Sequence, residues 1–533
     1  MSTRRKIAEA LVGACRDAGT RHVFGVPGGG SNLDVVGAAV DAGLEFVLVH
    51  TETAAVVMAG VAADLTGAPG LCVATRGPGA ASAVNGAAQA LLDRQSVVVV
   101  TDCVAASDRD RVSHQRLDQQ SLMAPVTLGS FVVTDTVAVA AVVALACGPR
   151  PGPVHVDIDP SAAMASVPAV GDPTDERALA AIVERIAAAN RPVIVVGVGA
   201  LRSAASVAER LSDLGARSAV PMLTTYRARG IVADGVSWYA GVATGATIES
   251  PLLHDADLIV GVGLDPVELI PAAWPYTAPV VSFTSWPIDD SSFFGDTLEV
   301  VGDLDDLLGR VAPEFRSTWT EGSGACYRQQ ADDELVAAVA PARRGLRPVE
   351  VVTIADEVAP SGTIATVDAG AHMLVAMPLW RVEQPGELLI SSGLATMGFA
   401  LPAAVAAAVV RPDRRVVCFT GDGGVGMVLG ELETLARRNL PVTVVVFNDS
   451  TLSLIAAKQS PTGHGGAAVV EYAPTDFAAI ARGCGVPAVS VTDVESYRRA
   501  LAESFDRPGP TLLDVVVDPS SYGAVLDAVR GPR

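Results

Sequence analysis

Residues 421–450 read GDGGVGMVLGELETLARRNLPVTVVVFNDS, and two short turns within them carry oxygen-rich side chains. Asp422 lies among glycines directly after the apolar run VVCFTG. Asn448-Asp449-Ser450-Thr451 closes the next apolar run, with Asp449 27 residues beyond Asp422. In an open α/β sheet ligands bind beyond the carboxyl ends of the strands, which is where Asp422 falls. Glycine lets the backbone N–H groups of Gly423 and Gly424 approach an anion, and the start of a following helix favours negative charge. A carboxylate at that spot repels a phosphate unless a cation stands between them. Mg2+ takes oxygen ligands and commonly joins one or two carboxylates to a diphosphate. The spacing therefore predicts a Mg2+ site from Asp422, Asp449 and Thr451, the second turn giving a side-chain oxygen and a backbone carbonyl. Asn448 takes the side-chain role if the turn registers one residue differently. The plainer alternative is a Gly-rich turn and an Asn-Asp strand end with no further role.

Such turns need strands behind them. Short Val/Ile-rich runs alternate with Ala/Leu-rich helical patterns along the chain: HVFGVP (22–27), FVLVH (46–50), GLCVAT (70–75), SVVVVTD (96–102) and PVHVDI (153–158). The rhythm restarts at PVIVVGVG (192–199) and LIVGVG (258–263), and again at TIATVD (363–368), RVVCFTGD (415–422) and PVTVVVFND (441–449). Near-continuous apolar runs separated by helices predict parallel sheets covered on both faces. Turn-rich or polar stretches at 161–176 and 321–334 read as breaks. The expected fold is α/β, with three doubly wound parallel-sheet domains at 1–165, 180–330 and 345–525.

Composition narrows the class. A chain of 533 residues exceeds one core, and half of it is apolar. A net charge of −21 with only two lysines, Lys6 and Lys458, argues against nucleic acid or an anionic membrane as partner. Seven scattered cysteines without a CxxC pair fit reduced thiols in cytoplasm. The N-terminal MSTRRKIAEALVGACRDAG is amphipathic and not signal-like. The apolar run at 136–147 is too short to span a bilayer. The sequence thus reads as a soluble cytoplasmic protein. PVIVVGVGALRS (192–203) is an incomplete dinucleotide turn with no ribose-binding acid at the right distance, so FAD or a nucleotide in the central domain is possible but disfavoured.

The GDG…FND spacing resembles the signature of thiamine-diphosphate enzymes, and further motifs agree in order along the whole chain. ISSGLATMGFALPAA (390–404) is similar to a segment of the acetolactate synthase-like branch. The resemblance implies that the backbone carbonyl of Ala395 holds the aminopyrimidine and that Met397 bends the cofactor. VDAGAHM (367–373) resembles the diphosphate-contacting turn, which makes Gly370 and His372 contacts, His372 otherwise being a satisfied strand-end histidine. FGVPGGGSN (24–32), VHTETAAVVMAGVAADLTG (49–67) and ATRGPGAASAVNGAAQA (74–90) resemble the pyrimidine-binding domain. There Glu52 matches the family's acid, which hydrogen-bonds pyrimidine N1′ so that the 4′-nitrogen can remove the thiazolium C2 proton. Without the resemblance, Glu52 is an acid favoured at a helix start.

The chain departs from the family pattern in two places. Asp449 stands where Asn is usual, which keeps an oxygen ligand and adds charge. In SHQRLDQQSL (113–122), Gln115 matches the Gln near the reacting thiazole, while His114 replaces a usual Phe and reads equally well as a loop residue. The resemblance implies thiamine diphosphate with Mg2+, a 2-oxo acid that loses CO2, and transfer of the resulting carbanion to an acceptor. A non-ligating 2-oxo-acid decarboxylase is the second reading, and a silent thiamine-diphosphate-binding subunit the third. An NAD-dependent dehydrogenase lacks its fingerprint. Substrate identity would depend on the 24–32 and 113–120 loops, the 452–472 segment and the C-terminal tail. The resemblance also implies a homodimer or a dimer of dimers, with the Ala-rich helices after Glu52 and Gly77 as contact surface.

Overall fold

The computed structural model describes residues 2–108, 110–162, 175–270, 272–289, 291–459 and 466–531. Most of the break at 161–176 and part of the 452–472 segment lie outside the described residues. Among these residues eighteen strands form three six-stranded sheets, and every pairing of those strands is parallel. The first sheet holds β1 (His22–Gly25), β2 (Glu45–Leu48), β3 (Gly70–Ala74), β4 (Val97–Thr101), β5 (Gly129–Val133) and β6 (Pro153–Ile158), in the order β2-β1-β3-β4-β6-β5. The second holds β7 (Pro192–Val196), β8 (Met222–Thr224), β9 (Tyr239–Val242), β10 (Leu258–Val262), β11 (Val280–Thr284) and β12 (Thr297–Val301), in the order β12-β11-β10-β7-β8-β9. The third holds β13 (Ile364–Val367), β14 (Leu388–Ile390), β15 (Val416–Gly421), β16 (Val442–Asn448), β17 (Ala488–Val491) and β18 (Thr511–Val516), in the order β14-β13-β15-β16-β18-β17. The expected α/β class with three doubly wound sheets is therefore what the chain forms. The apolar runs became strands because both faces are covered: β3, β4, β6, β7 and β10 are buried along their whole length.

Strand order fixes where a ligand can enter. In the first and third sheets the order reverses between β1 and β3 and between β13 and β15, so the loops after those strands flank a crevice. In the second sheet the reversal lies between β7 and β10, the order of a dinucleotide fold.

By contacts the chain divides into two compact units. One comprises residues 1–171, 393–413 and 428–440, and contains the first sheet. Ile7, Leu11, Val23, Val98, Val154 and their neighbours form its core. In the helix Glu52–Thr66, residues 54–63 are all buried, covered by the helices Pro78–Leu92 and Ala400–Val410 of the same chain. Alanine and glycine allow that close approach. Within the chain this helix is thus covered by two others.

The other unit comprises residues 172–392, 414–427 and 441–533, with the second and third sheets. Residues 321–334, read as a loop, lie almost entirely in the helix Ser323–Ala337. Gly324 and Leu335 are its only buried residues, so there was no apolar period to read. Gly322 enters it at φ 83, and a Cβ on Gly324 would lie 2.3 Å from the Trp238 carbonyl oxygen. On its outer face Gln329 and Gln330 donate to Asp333 and Glu334 one turn on. Among the described residues no helix is long and apolar enough to cross a membrane.

A buried ion pair joins the segment after β8 to residues 377–382. The Arg229 guanidinium donates to Asp234 at 2.6 Å and to the carbonyls of Met377 and Trp380, while Val382 N–H donates to Asp234 at 3.0 Å. Both side chains are nearly inaccessible. Removing one partner strands the other charge, so Asp234→Ala should cost about 3–5 kcal/mol in a denaturant titration. A loss below about 1 kcal/mol would show that the pair does not hold this junction.

Candidate cofactor site

The third sheet brings the two oxygen-rich turns together. β15 and β16 pair in register from Val416 opposite Val442 to Gly421 opposite Phe447, so the residues that follow, Asp422 and the 448–451 turn, leave the sheet side by side. The Asp422 carboxylate is 7% exposed. It accepts from Gly423 N–H at 2.6 Å through one oxygen, and from Ser450 N–H at 2.6 Å and Asp449 N–H at 3.2 Å through the other. The Asp449 carboxylate, equally buried, accepts from Thr451 N–H at 3.0 Å and Ser453 Oγ–H at 2.6 Å. Ser450 turns the chain at φ 62. Asn448 faces elsewhere, its amide donating to Asp514 at 2.8 Å and to the Thr475 carbonyl at 3.0 Å. Asp449 is therefore the side chain that shares the turn with Asp422.

Burial raises the pKa of both acids. It pushes the Asp449 carboxyl up to about 7, and the neighbouring Asp422 charge adds to the shift. Asp422 is raised for the same first reason, against the pull of its N–H donors. Two adjacent buried carboxylates with hard oxygen donors suit a divalent cation, whose charge would reverse these shifts. Among the described residues no cluster of three or more His, Cys, Asp or Glu side chains is arranged around a metal. A cation here would need further oxygens from the Thr451 backbone, water or a ligand.

Across the same switch point lies the turn after β13. His372 is 4% exposed and stacks on Phe447 at 5.2 Å between ring centroids. Its ring hydrogen-bonds the Asp368 backbone, and burial lowers its pKa to about 4, so it is neutral. Its Nε2 is buried without a partner. An orphaned ring nitrogen is not the satisfied strand-end histidine of the plain reading. The backbone around it needs glycine: a Cβ on Gly370 would lie 2.6 Å from His372 Cε1, and one on Gly424 2.3 Å from Asp368 Oδ2.

The remaining sequence candidates fall in the other unit. Glu52 opens its helix after the N-cap Thr51, and a Cβ on Gly79 would meet its Oε1 at 3.0 Å. Gln115 and His114 are exposed. Gln115 has φ 55 and Ala395 φ 51, left-handed values that only six non-glycine residues take among those described. Such strain is held only where the surroundings impose it. The segment carrying Ala395 and Met397 is pinned by Gly393 N–H on Asp93 at 2.7 Å and by Asn85 on Thr396 at 3.1 Å.

Three family models match, in order: "Thiamine pyrophosphate enzyme, N-terminal TPP binding domain" at residues 5–122, the central domain at 179–311, and the C-terminal TPP binding domain at 368–515. The chain is 31% identical to "Acetolactate synthase large subunit" of Parasynechococcus marenigrum (strain WH8102), over 96% of this chain and 87% of that protein. This chain belongs to the thiamine-diphosphate enzymes. It is also 29% identical to "Acetolactate synthase" of Bacillus subtilis (strain 168), over 96% and 93% of the two chains. To "Acetolactate synthase isozyme 2 large subunit" of Escherichia coli (strain K12) it is 30% identical, over 96% and 95%. The family's resemblance led to Glu52, Gln115 and Ala395, but not to Gln119 or Asp157. The structure ties these two polar side chains into the backbone beneath Gln115. The signal for Gln119 is the run of amides in HQRLDQQ, and that for Asp157 is a charged residue inside the apolar run PVHVDI.

Gly424→Ala forces a methyl onto Asp368 with no open space to take it. It should destabilise the protein by about 1–3 kcal/mol and weaken thiamine diphosphate binding in titration calorimetry. Unchanged stability and affinity would mean that the Gly424 backbone is free to move.

Proposed function

We propose that this enzyme decarboxylates a 2-oxo acid with thiamine diphosphate and Mg2+ and passes the resulting carbanion to an acceptor, as an acetolactate synthase-like carboligase. The observation that carries this reading is the adjacent, buried pair Asp422 and Asp449 at the carboxyl ends of β15 and β16. The names of relatives matching nearly the whole chain support it. When bound, thiamine diphosphate supplies the nucleophilic carbon and electron sink for loss of CO2. Asp422, Asp449 and the Thr451 backbone would hold Mg2+, and Gly370, Gly423, Gly424 and His372 would lie along the diphosphate. Glu52 would hold a proton at pyrimidine N1′. Ala395 would offer its carbonyl to the aminopyrimidine, and Met397 would support the ring from behind. Gln115, with His114 beside it, would face the reacting carbons.

Three further readings go with this. The domains divide at 1–165, 180–330 and 345–525, each with one six-stranded sheet. The central domain works without FAD: the N–H of Val198 in its glycine turn donates to Glu268 at 2.6 Å, so a carboxylate of the chain itself stands where a dinucleotide phosphate would be received. The protein is a cytoplasmic homodimer or dimer of dimers, which sedimentation at micromolar concentration would test.

Incubation with pyruvate, Mg2+ and thiamine diphosphate should yield acetolactate by mass detection. Acetaldehyde as sole product would give the non-ligating decarboxylase instead, and no turnover of any 2-oxo acid would sink the proposal. Asp422→Ala should weaken Mg2+-dependent thiamine diphosphate binding by about 100-fold, the scale of truncating one partner of a buried charge pair. Glu52→Gln should keep that binding and slow C2 proton exchange by about 10²–10⁴-fold. Wild-type exchange in the Gln variant would remove Glu52 from its role.

A further inference from the structure

Beneath Gln115, five side chains close a ring of hydrogen bonds. Asp157 Oδ1 lies 2.6 Å from Thr101 Oγ1, which lies 2.7 Å from His155 Nε2. His155 Nδ1 lies 2.7 Å from Ser130 Oγ, Ser130 Oγ 2.9 Å from Gln120 Oε1, and Gln120 Nε2 2.8 Å from Asp157 Oδ2. Each of the five links needs one hydrogen. Thr101, Ser130 and the Gln120 amide supply one apiece, and a neutral His155 supplies one. The count is one short in either direction round the ring. The missing hydrogen must come from a protonated Asp157, or from a charged His155 opposite an ionised Asp157.

Burial decides between them. His155 is wholly inaccessible and Asp157 nearly so. Desolvation lowers His155 to about 3 and raises Asp157 to about 7, so below about pH 7 both sit neutral and the fifth hydrogen is on the carboxyl. Several ionisable groups face it. At the end of β4, Asp102 raises it further and the Cys103 thiol is itself raised by burial. His155 and Asp159 lie on and after β6, while Arg116 and Asp118 line the same cavity of about 370 Å3 as Asp157, Gln115 and Gln119.

The ring reaches the site through Gln119, 4% exposed. Its Nε2 lies 3.0 Å from Thr101 Oγ1, from the Asp102 carbonyl and from Asp157 Oδ1, and its Oε1 accepts from Gly77 N–H at 2.8 Å. Gly77 at φ 65 is where Gln115 rests: a Cβ there would lie 2.8 Å from the Gln115 carbonyl oxygen. Two residues on, Gly79 abuts Glu52. We propose that Asp157 is a positioning residue, whose carboxyl proton closes the ring and, through Gln119, holds the Gly77 turn and the strained Gln115 in working geometry. The catalytic part rests on the thiamine-diphosphate reading; the structural part does not.

Asp157→Asn and Asp157→Ala separate the two parts. An Asn amide donates to Thr101 and accepts from Gln120, so it keeps the ring at any pH and gives up only the Gln119 contact at Oδ1, Gln119 keeping Thr101 Oγ1 and the Asp102 carbonyl as acceptors; Ala opens the ring. A carboxyl raised from 3.8 to about 7 adds stability that is complete below 3.8 and is lost as pH rises through about 7. The Tm of the wild type should therefore fall behind that of Asp157→Asn between about pH 4 and about pH 7, with a constant gap above. Amide exchange at Gly77 should be at least about 10-fold faster in Asp157→Ala than in Asp157→Asn at about pH 6. Turnover should fall above about pH 7 in the wild type and not in Asp157→Asn. A gap in Tm that does not grow with pH, or equal Gly77 exchange in the two variants, overturns the proposal whatever the substrate. Correct Tm and exchange behaviour with an unchanged pH profile of turnover overturns its catalytic part alone.

Discussion

Three backbone N–H groups converge on the Asp422 carboxylate, and much of the third sheet is arranged around that contact. A carboxylate buried at a strand end is costly unless donors surround it. Here the donors come from the turn that ends the neighbouring strand, so Asp422 also fixes where that turn lies. The register of β15 on β16 then matters to the residue. Successive side chains on a strand point to opposite faces, so Asn448 reaches Asp514 while the Asp449 carboxylate folds back onto Thr451 N–H and Ser453, within range of the Asp422 charge. A slip of one residue would exchange them and leave an amide where two acids now meet.

The same economy of backbone approach governs the rest of the crevice. Gly370 and Gly424 cannot take even a methyl without displacing His372 or Asp368, whereas a methyl on Gly421 would make ordinary contact with His372. The result is a rigid floor with one edge nitrogen of His372 left over. Rigid placement of few polar groups is what a positioned cofactor requires.

Much of this was legible in sequence because it is local. Parallel strands buried on both faces write continuous apolar runs, and glycine turns write themselves, so β1, β3, β7, β13, β15 and β16 could be read directly. The order of strands within a sheet has no such local signature, nor does the polar helix Ser323–Ala337, which presents almost nothing to a core. Gln119 and Asp157 are hidden for a related reason. They are far apart in the chain, and only the closed count of hydrogens between them shows what either does.

The first and third sheets share one strand order yet treat the crevice at its reversal differently. In the first, a Cβ on Gly28 would lie 2.2 Å from Thr75 Oγ1, Asn32 takes Gly28 N–H and the Ala74 carbonyl, and little is left unpaired. In the third, two hydrogen-bonded acids lie in adjoining turns and one ring nitrogen of His372 has no partner. Substitutions at the first crevice answer to shape, and exchanges that conserve volume and hydrogen bonding should pass there as they do in a core. At the third, an isosteric exchange that alters charge is not neutral, however well it fits. Two architecturally equal positions in one chain are thus open to quite different kinds of sequence drift.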